Sequence, residues 1–103
     1  MIYSVDFTPE AQRQLDELET HIAEAVSPTV AARYVDSIVD YCESLRTFPH
    51  RGTRRDDLRP GLRTIGYRRR VTILFEVAGE TVNIIGIYYG GQDYGSALQG
   101  VEE

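Results

Sequence analysis

The chain contains no lysine. All eleven of its basic residues are arginine, set against sixteen acidic residues in a length of 103, for a formal net charge of −5. Arginine keeps its charge at any physiological pH and grips carboxylate or phosphate with a planar fork, but it is a poor proton carrier. A chain whose cations are all of this kind is better supplied for binding anions than for acid–base work. Cysteine is nearly absent as well. Cys42 stands alone, which excludes an intrachain disulfide and fits a reducing compartment, so a cytoplasmic location is expected. No apolar run approaches the roughly 20 residues that cross a bilayer. The opening residues, Met1-Ile2-Tyr3-Ser4-Val5, have neither the basic start nor the apolar stretch of a secretory signal. His21 and His50 lie far apart without metal-ligand spacing, so no metal or cofactor is expected.

What is present suffices for one compact core. The chain is 42% hydrophobic and 26% charged, and residues 1–103 read as a single domain whose last residues, 96–103, are expected to fray. The charge is unevenly distributed. Residues 1–45 carry two arginines against nine acids, and residues 71–103 carry five acids and no base. Between them, residues 46–70 hold nine arginines against Asp56 and Asp57, a local excess of seven positive charges. A cationic island inside an acidic protein can recruit an acidic partner or a phosphate chain despite the negative total.

The hydrophobic pattern places that island. Ile2 to Phe7 alternates, with Tyr3, Val5 and Phe7 on its apolar face, and reads as a short strand. Thr8-Pro9-Glu10 supplies a cap, a proline for the first helical position and an acid for the first turn. Ala11, Leu15, Leu18 and Ile22 then repeat at helical spacing. Ser27-Pro28 opens a second helix with Ala31, Tyr34, Val35, Ile38, Cys42 and Leu45 on its stripe, ending before Pro49. So short a connection predicts an antiparallel helical hairpin. Residues 48–61, with two prolines and two glycines, read as an extended connection. From Leu62 the period becomes two. Leu62–Tyr67 is one strand, Val71, Ile73, Phe75 and Val77 line a face of the next, and Ala78-Gly79-Glu80 makes a turn. In the last strand Val82, Ile84, Gly86 and Tyr88 alternate with Ile85, Ile87 and Tyr89. Apolar residues on both of its faces predict an interior strand that neighbours the first one. The predicted fold is α+β in two layers: a helical hairpin packed on a mainly antiparallel four-stranded sheet, in the order β-α-α-β-β-β.

That order, together with four phrases, resembles the RelE/ParE superfamily of toxins from type II toxin–antitoxin modules. The phrases are Phe7-Thr8-Pro9-Glu10-Ala11, Phe48-Pro49-His50-Arg51-Gly52, Asp57-Leu58-Arg59-Pro60-Gly61-Leu62-Arg63 and Gly90-Gly91-Gln92-Asp93-Tyr94. Asp57-Leu58-Arg59-Pro60-Gly61 and the long hairpin are more similar to the ParE branch. The resemblance implies a toxin that inhibits DNA gyrase and is neutralised by a cognate antitoxin, a ParD-like DNA-binding dimer whose tail folds onto the toxin. The RelE branch would instead imply ribosome-dependent, metal-independent cleavage of messenger RNA. Cleavage needs a proton acceptor, cations for the phosphate and a proton donor for the leaving oxygen. RelE-type enzymes draw that set from lysines, arginines and a tyrosine or histidine near the C-terminus. This chain has no lysine, and Gly91 and Gln92 stand where many relatives are basic. No catalytic set is therefore assigned. A third reading is a decayed copy that still binds antitoxin.

Arg54, Arg55, Arg59, Arg63, Arg68, Arg70 and Tyr94 are the candidates for antitoxin or target contact. On a strand, Arg68 and Arg70 share a face and Arg69 points away. A solvated hairpin edge, charged against aggregation, explains that triplet about as well as a binding role. Asp56 and Asp57 are placed to neutralise part of the charge of Arg51, Arg54 and Arg55. Cys42, on the buried stripe, reads as a small core residue. One of Tyr88 and Tyr89 belongs to the core by alternation, which leaves Tyr94 as the more informative tyrosine.

Overall fold

The structure, a computed structural model, describes residues 2–90, so Tyr94, the Gly91-Gln92-Asp93 phrase and the tail 96–103 lie outside the described residues. The chain runs through β1 (Ser4–Phe7), α1 (Pro9–Ala25), α2 (Pro28–Glu43), a 3-10 turn (Ser44–Arg46), β2 (Thr53–Arg54), β3 (Leu62–Tyr67), β4 (Val71–Ala78) and β5 (Thr81–Tyr89). Both helices begin as their sequences require. The Thr8 hydroxyl accepts from the Ala11 amide at 3.2 Å and the Ser27 hydroxyl from the Val30 amide at 3.1 Å, each just ahead of a proline. No helix among the described residues is long and apolar enough to cross a membrane.

The sheet order is β1-β5-β4-β3-β2, with β1 parallel to β5 and every other pair antiparallel. The first strand thus lies beside the apolar last one, as expected. The fifth strand corrects the expected count of four. Thr53 and Arg54, inside the segment read as an extended connection, pair with Thr64 and Arg63. Two residues are too few to show a period. Their approach depends on Gly52, whose φ is +80° and where a Cβ would lie 2.2 Å from the Thr64 carbonyl oxygen.

One sheet face carries the helical hairpin. Ala11, Leu15, Leu18 and Ile22 of α1 and Ala31, Val35, Ile38 and Cys42 of α2 are buried with Leu45 against Val71, Ile73, Phe75, Val82, Ile84 and Ile87. Burying one such large side chain is worth about 1.5–3 kcal/mol, so this layer dominates the stability. The other face has a second, small cluster. Leu62 and Leu74 are buried there, covered by Leu58, Ile85 and Tyr88.

An irregularity in β5 creates that cluster. Phe75 pairs with Ile84 but Leu74 pairs with Gly86, which leaves Ile85 as an extra residue. The expected single alternation along this strand is therefore wrong. Val82 and Ile84 face the helices, Ile85 turns to the outer cluster, and Ile87 and Tyr89 face the helices again. Tyr89 is the tyrosine on the main core and Tyr88 is the outer one. The Tyr88 ring lies across Gly86, where a Cβ would meet it at 2.7 Å.

Candidate functional site

The arginine-rich segment divides between the outer sheet face and the margin of α2. On the outer side, residues 55–62 form a closed turn. The Arg55 amide donates to the Leu62 carbonyl at 2.8 Å, the Arg55 carbonyl accepts from Leu58 and Arg59, and the Leu62 amide donates to the Arg59 carbonyl at 3.1 Å. Asp56 accepts from the Gly61 amide at 2.9 Å, bracing the turn from inside. Leu58 anchors it on the outer cluster.

The arginines here have carboxylate partners. Arg55 holds Asp57 with two bonds of 3.0 and 2.9 Å, and hydrogen bonding by its guanidinium keeps the Asp57 carboxyl below its ordinary range. Arg59 reaches Glu76 of β4 at 3.9 Å, and Arg54 reaches Asp56 at 3.0 Å. Exposed pairs of this kind contribute only about 0–1 kcal/mol, so a partner's carboxylates or phosphates can displace them. Asp56 and Asp57 thus neutralise local charge as expected, with one arginine each.

Arg54 and Arg63 lie directly opposite each other across β2 and β3, an unfavourable juxtaposition of like charges. Arg54 turns to Asp56, while Arg63 donates to the Arg51 carbonyl at 3.4 Å. Arg63 shares its strand face with Ile65 and Tyr67, which pack on the helix-side core. Arg51 itself donates to the Tyr41 hydroxyl at 3.2 Å and the Ser44 hydroxyl at 3.3 Å, with its guanidinium 5.3 Å from the Tyr41 ring centre. Tyr41 stacks on Tyr67 at 4.7 Å, and Arg68 covers Tyr67 at 5.3 Å. The result is a ladder, Arg51–Tyr41–Tyr67–Arg68, that fastens the end of α2 to the β3–β4 hairpin. Each cation–ring contact at an exposed site is worth about 0.5–1 kcal/mol.

The Arg68-Arg69-Arg70 triplet does not continue a strand. It forms the β3–β4 turn, with Arg68 at φ 51° and Arg69 at φ 64°, so the expected alternation of Arg68 and Arg70 against Arg69 is overturned. Two successive non-glycine residues in the left-handed region are costly, roughly 1–3 kcal/mol each. The Arg70 carbonyl accepts from the Gly90 amide at 2.7 Å, which closes the neck of the turn. Beside it, Val30, Arg33, Tyr34 and Ser37 of α2 and Arg68 line a furrow of about 240 Å³. Burial raises the Tyr34 phenol above its usual pKa, and its ring stands edge-on to Tyr89 at 6.2 Å.

The proposed contact residues therefore fall into three places. Arg55 and Arg59 sit on the outer turn, Arg54 and Arg63 oppose each other across two strands, and Arg68 and Arg70 sit in the hairpin turn. Sequence reasoning missed Arg33, Tyr41 and Tyr67 and treated Arg51 only as a loop residue. The available signal was Tyr34-x-x-Ser37-x-x-x-Tyr41, a helical repeat lying just beside the buried stripe. Among the described residues, no carboxylate comes within ion-pair distance of Arg33, Arg51, Arg63, Arg68, Arg69 or Arg70.

The remaining titratable groups are held elsewhere. His21 lies 6.2 Å from the Tyr89 ring, beside a groove of about 300 Å³ between α1 and β5. There Gln14 accepts from the Ile87 amide at 2.7 Å and caps the part of the β5 edge that β1 does not reach. His50 stands edge-on to Tyr3. Cys42 is fully buried and its thiol is pushed up to about 12, the state of an inert core residue. Among the described residues, no three of the histidines, cysteine and acids gather where they could hold a metal ion.

A helical hairpin on one face of a sheet, with its first strand parallel to the last and arginines along the margin, defines a two-layer RelE/ParE-like fold. Residues 5–94 match the family described as ParE toxin of type II toxin–antitoxin system, parDE, and the chain belongs to that family. A structure of the chromosomal ParDE toxin–antitoxin system from P. aeruginosa is similar at TM-score 0.76 and 27% identity, covering 86% of this chain and 97% of that one. The RelBE2 toxin–antitoxin complex from Mycobacterium tuberculosis shares the fold at TM-score 0.62 and 21% identity, with 86% and 99% covered. The isolated E. coli RelE toxin is more distant, at TM-score 0.50 and 19% identity over 96% and 98% of the two chains. No curated protein sequence matches at a significant level.

Proposed function

We infer that this chain is a cytoplasmic toxin held inactive by a cognate antitoxin, a ParD-like DNA-binding dimer, and that when released it inhibits DNA gyrase by binding rather than turnover. The observation that carries the reading is the state of the arginines. Arg51, Arg63 and Arg68 are held by rings and carbonyl oxygens, and Arg54, Arg55 and Arg59 by easily displaced carboxylates, an arrangement suited to gripping an acidic surface. Arg54, Arg55, Arg59, Arg63, Arg68 and Arg70 supply the contacts to antitoxin or target. The likeness to a ParDE system at 27% identity supports an antitoxin partner.

The test is a DNA supercoiling assay with purified protein and gyrase. Inhibition is expected, reversed by the antitoxin and weakened by R59A/R63A. Primer extension on translated messages supplies the opposite outcome. Codon-phased cuts that disappear in R59A/R63A, with supercoiling untouched, would replace gyrase inhibition by messenger cleavage.

A further inference from the structure

We propose that Arg51 and Arg63 form a binding site for a doubly charged phosphate monoester, at the corner where the end of α2 meets β2 and β3. The inference goes beyond the toxin reading and requires neither antitoxin nor gyrase. Both arginines are half-buried, and among the described residues neither has a carboxylate in range. Two cations at one corner without a counter-ion repel each other, and an anion bound by both relieves that repulsion.

The corner is assembled from three parts of the chain. Gly52 lets the segment after Pro49 lie against Thr64, which sets Arg51 beside β3. The Arg63 guanidinium crosses to the Arg51 carbonyl at 3.4 Å, so the two residues stand together. Arg51 is held in turn by the Tyr41 and Ser44 hydroxyls and by the Tyr41 ring. These contacts engage only part of each guanidinium's set of N–H donors. Cations positioned in advance lose little freedom when a ligand arrives.

Charge and shape select a monoester. A phosphate monoester carries about −1.5 to −2 near neutral pH, which matches two uncompensated arginines, whereas a diester or a carboxylate carries a single charge. One planar fork suffices for a carboxylate. A second fork finds its partners on the further oxygens of a phosphoryl group.

A nucleic-acid backbone suits the corner less well. The flanking arginines are already engaged, Arg46 by Glu43 and Arg54 by Asp56, so a phosphate chain would first have to displace both pairs. The Tyr41 ring is taken by Tyr67 and Arg51, which leaves no face there for a base to stack on.

Calorimetric titration of the full chain with ribose 5-phosphate and with dimethyl phosphate tests the site, in about 0.15 M salt to screen loose surface binding. Saturable one-to-one binding of the monoester is expected, about tenfold tighter than the diester or more. R63Q should weaken it on the order of tenfold, and R51Q/R63Q on the order of a hundredfold. R33Q removes another arginine without a carboxylate in range, nearer the start of α2, and should bind as the parent does. Because Arg63 makes one long hydrogen bond, R63Q should melt with the parent, which separates lost contact from lost fold.

No saturable monoester binding by the parent, or parent-like affinity in R51Q/R63Q, would overturn the site. So would an equal loss in R33Q, which would reduce the effect to overall charge. Tighter binding of a single-stranded DNA of about ten nucleotides without a terminal phosphate, lost in R51Q/R63Q, would assign the corner to a nucleic-acid backbone instead. None of these readouts involves supercoiling or an antitoxin, so the site and the toxin reading fail separately.

Discussion

The two faces of the sheet bury side chains of the same kind for different ends. On the helix side, buried residues from both helices and from β4 and β5 form one continuous core. On the outer side, among the described residues, only Leu62 and Leu74 are buried, and their cover is a loop residue, Leu58, with Ile85 and Tyr88. The first face holds the fold together. The second fastens a turn bearing Arg55 and Arg59 to a strand bearing Glu76, and so sets where those cations stand. The arginines follow the same division. Arg55 and Arg59 of the outer turn have carboxylate partners, while Arg51, Arg63 and Arg68 rest against tyrosine rings and a carbonyl oxygen.

Adjacent residues on β4 sharpen this contrast most. Phe75 and Leu74 are both fully buried but face opposite ways. Phe75→Ala should cost about 3–5 kcal/mol, read as a global loss in chemical denaturation. Leu74→Ala should cost less, about 2–3 kcal/mol, because a small cluster roofed by a loop can collapse into the space. Its distinctive effect should be faster amide exchange at Leu58, Arg59 and Leu62 with the helices still protected. Equal, global loosening in both variants would show that the two faces behave as one core.

Gly52→Ala comes next and tests whether β2 is needed to hold Arg54 against Arg63. The added methyl would meet a backbone oxygen, Thr64 O, and φ is +80°, so neither the space nor the dihedral suits alanine. The expected cost is roughly 1–3 kcal/mol, confined to β2 and the edge of β3 and visible as lost cross-strand contacts in nuclear magnetic resonance spectra.

These two tests separate what was legible in the sequence from what was not. Helices α1 and α2 announced themselves by stripes of four or more apolar residues and by Thr8-Pro9 and Ser27-Pro28, all local signals. The place of β1 followed from the two-sided apolar character of β5. The bulge at Ile85 was hidden because Ile84, Ile85 and Ile87 satisfy either alternation, and only the pairing with Leu74 and Phe75 decides between them. The turn at Arg68 and Arg69 was hidden because neither residue is the glycine or asparagine that usually marks a left-handed backbone. The stack of Tyr41 on Tyr67 joins residues distant in sequence, so no window along the chain contains it. Arginines were legible as a cluster, but their division into paired and ring-held groups was not.

A smaller change probes the strain in that turn. Arg69→Gly relieves the left-handed penalty at φ 64° but adds freedom to the unfolded chain, so stability should rise by a net of up to about 1 kcal/mol in a thermal or urea melt. If antitoxin affinity falls as stability rises, the strained arginine serves binding. A stabilised variant with unchanged affinity would place Arg69 outside the interface and leave Arg68 and Arg70 as the contacts.

The smallest expected effect lies on the outer turn, at the pair of Arg55 with Asp57. Hydrogen bonding from Arg55 lowers the folded-state pKa of Asp57, and a lowered carboxyl contributes stability that is fully present above its unfolded value. That contribution is lost as pH falls through the lowered folded value, because protonation removes the charge that Arg55 holds. Asp57 is open to water, so the energetic consequence is screened and the titration itself is the better readout. Arg55→Ala should raise the Asp57 pKa toward that of a free aspartate while the melting temperature at neutral pH barely moves. A large drop in melting temperature would contradict the view that the outer pairs are readily exchanged for a partner's acids. In that event the outer turn would be as firmly built as the helix-side core, and the contrast between the two faces would fail.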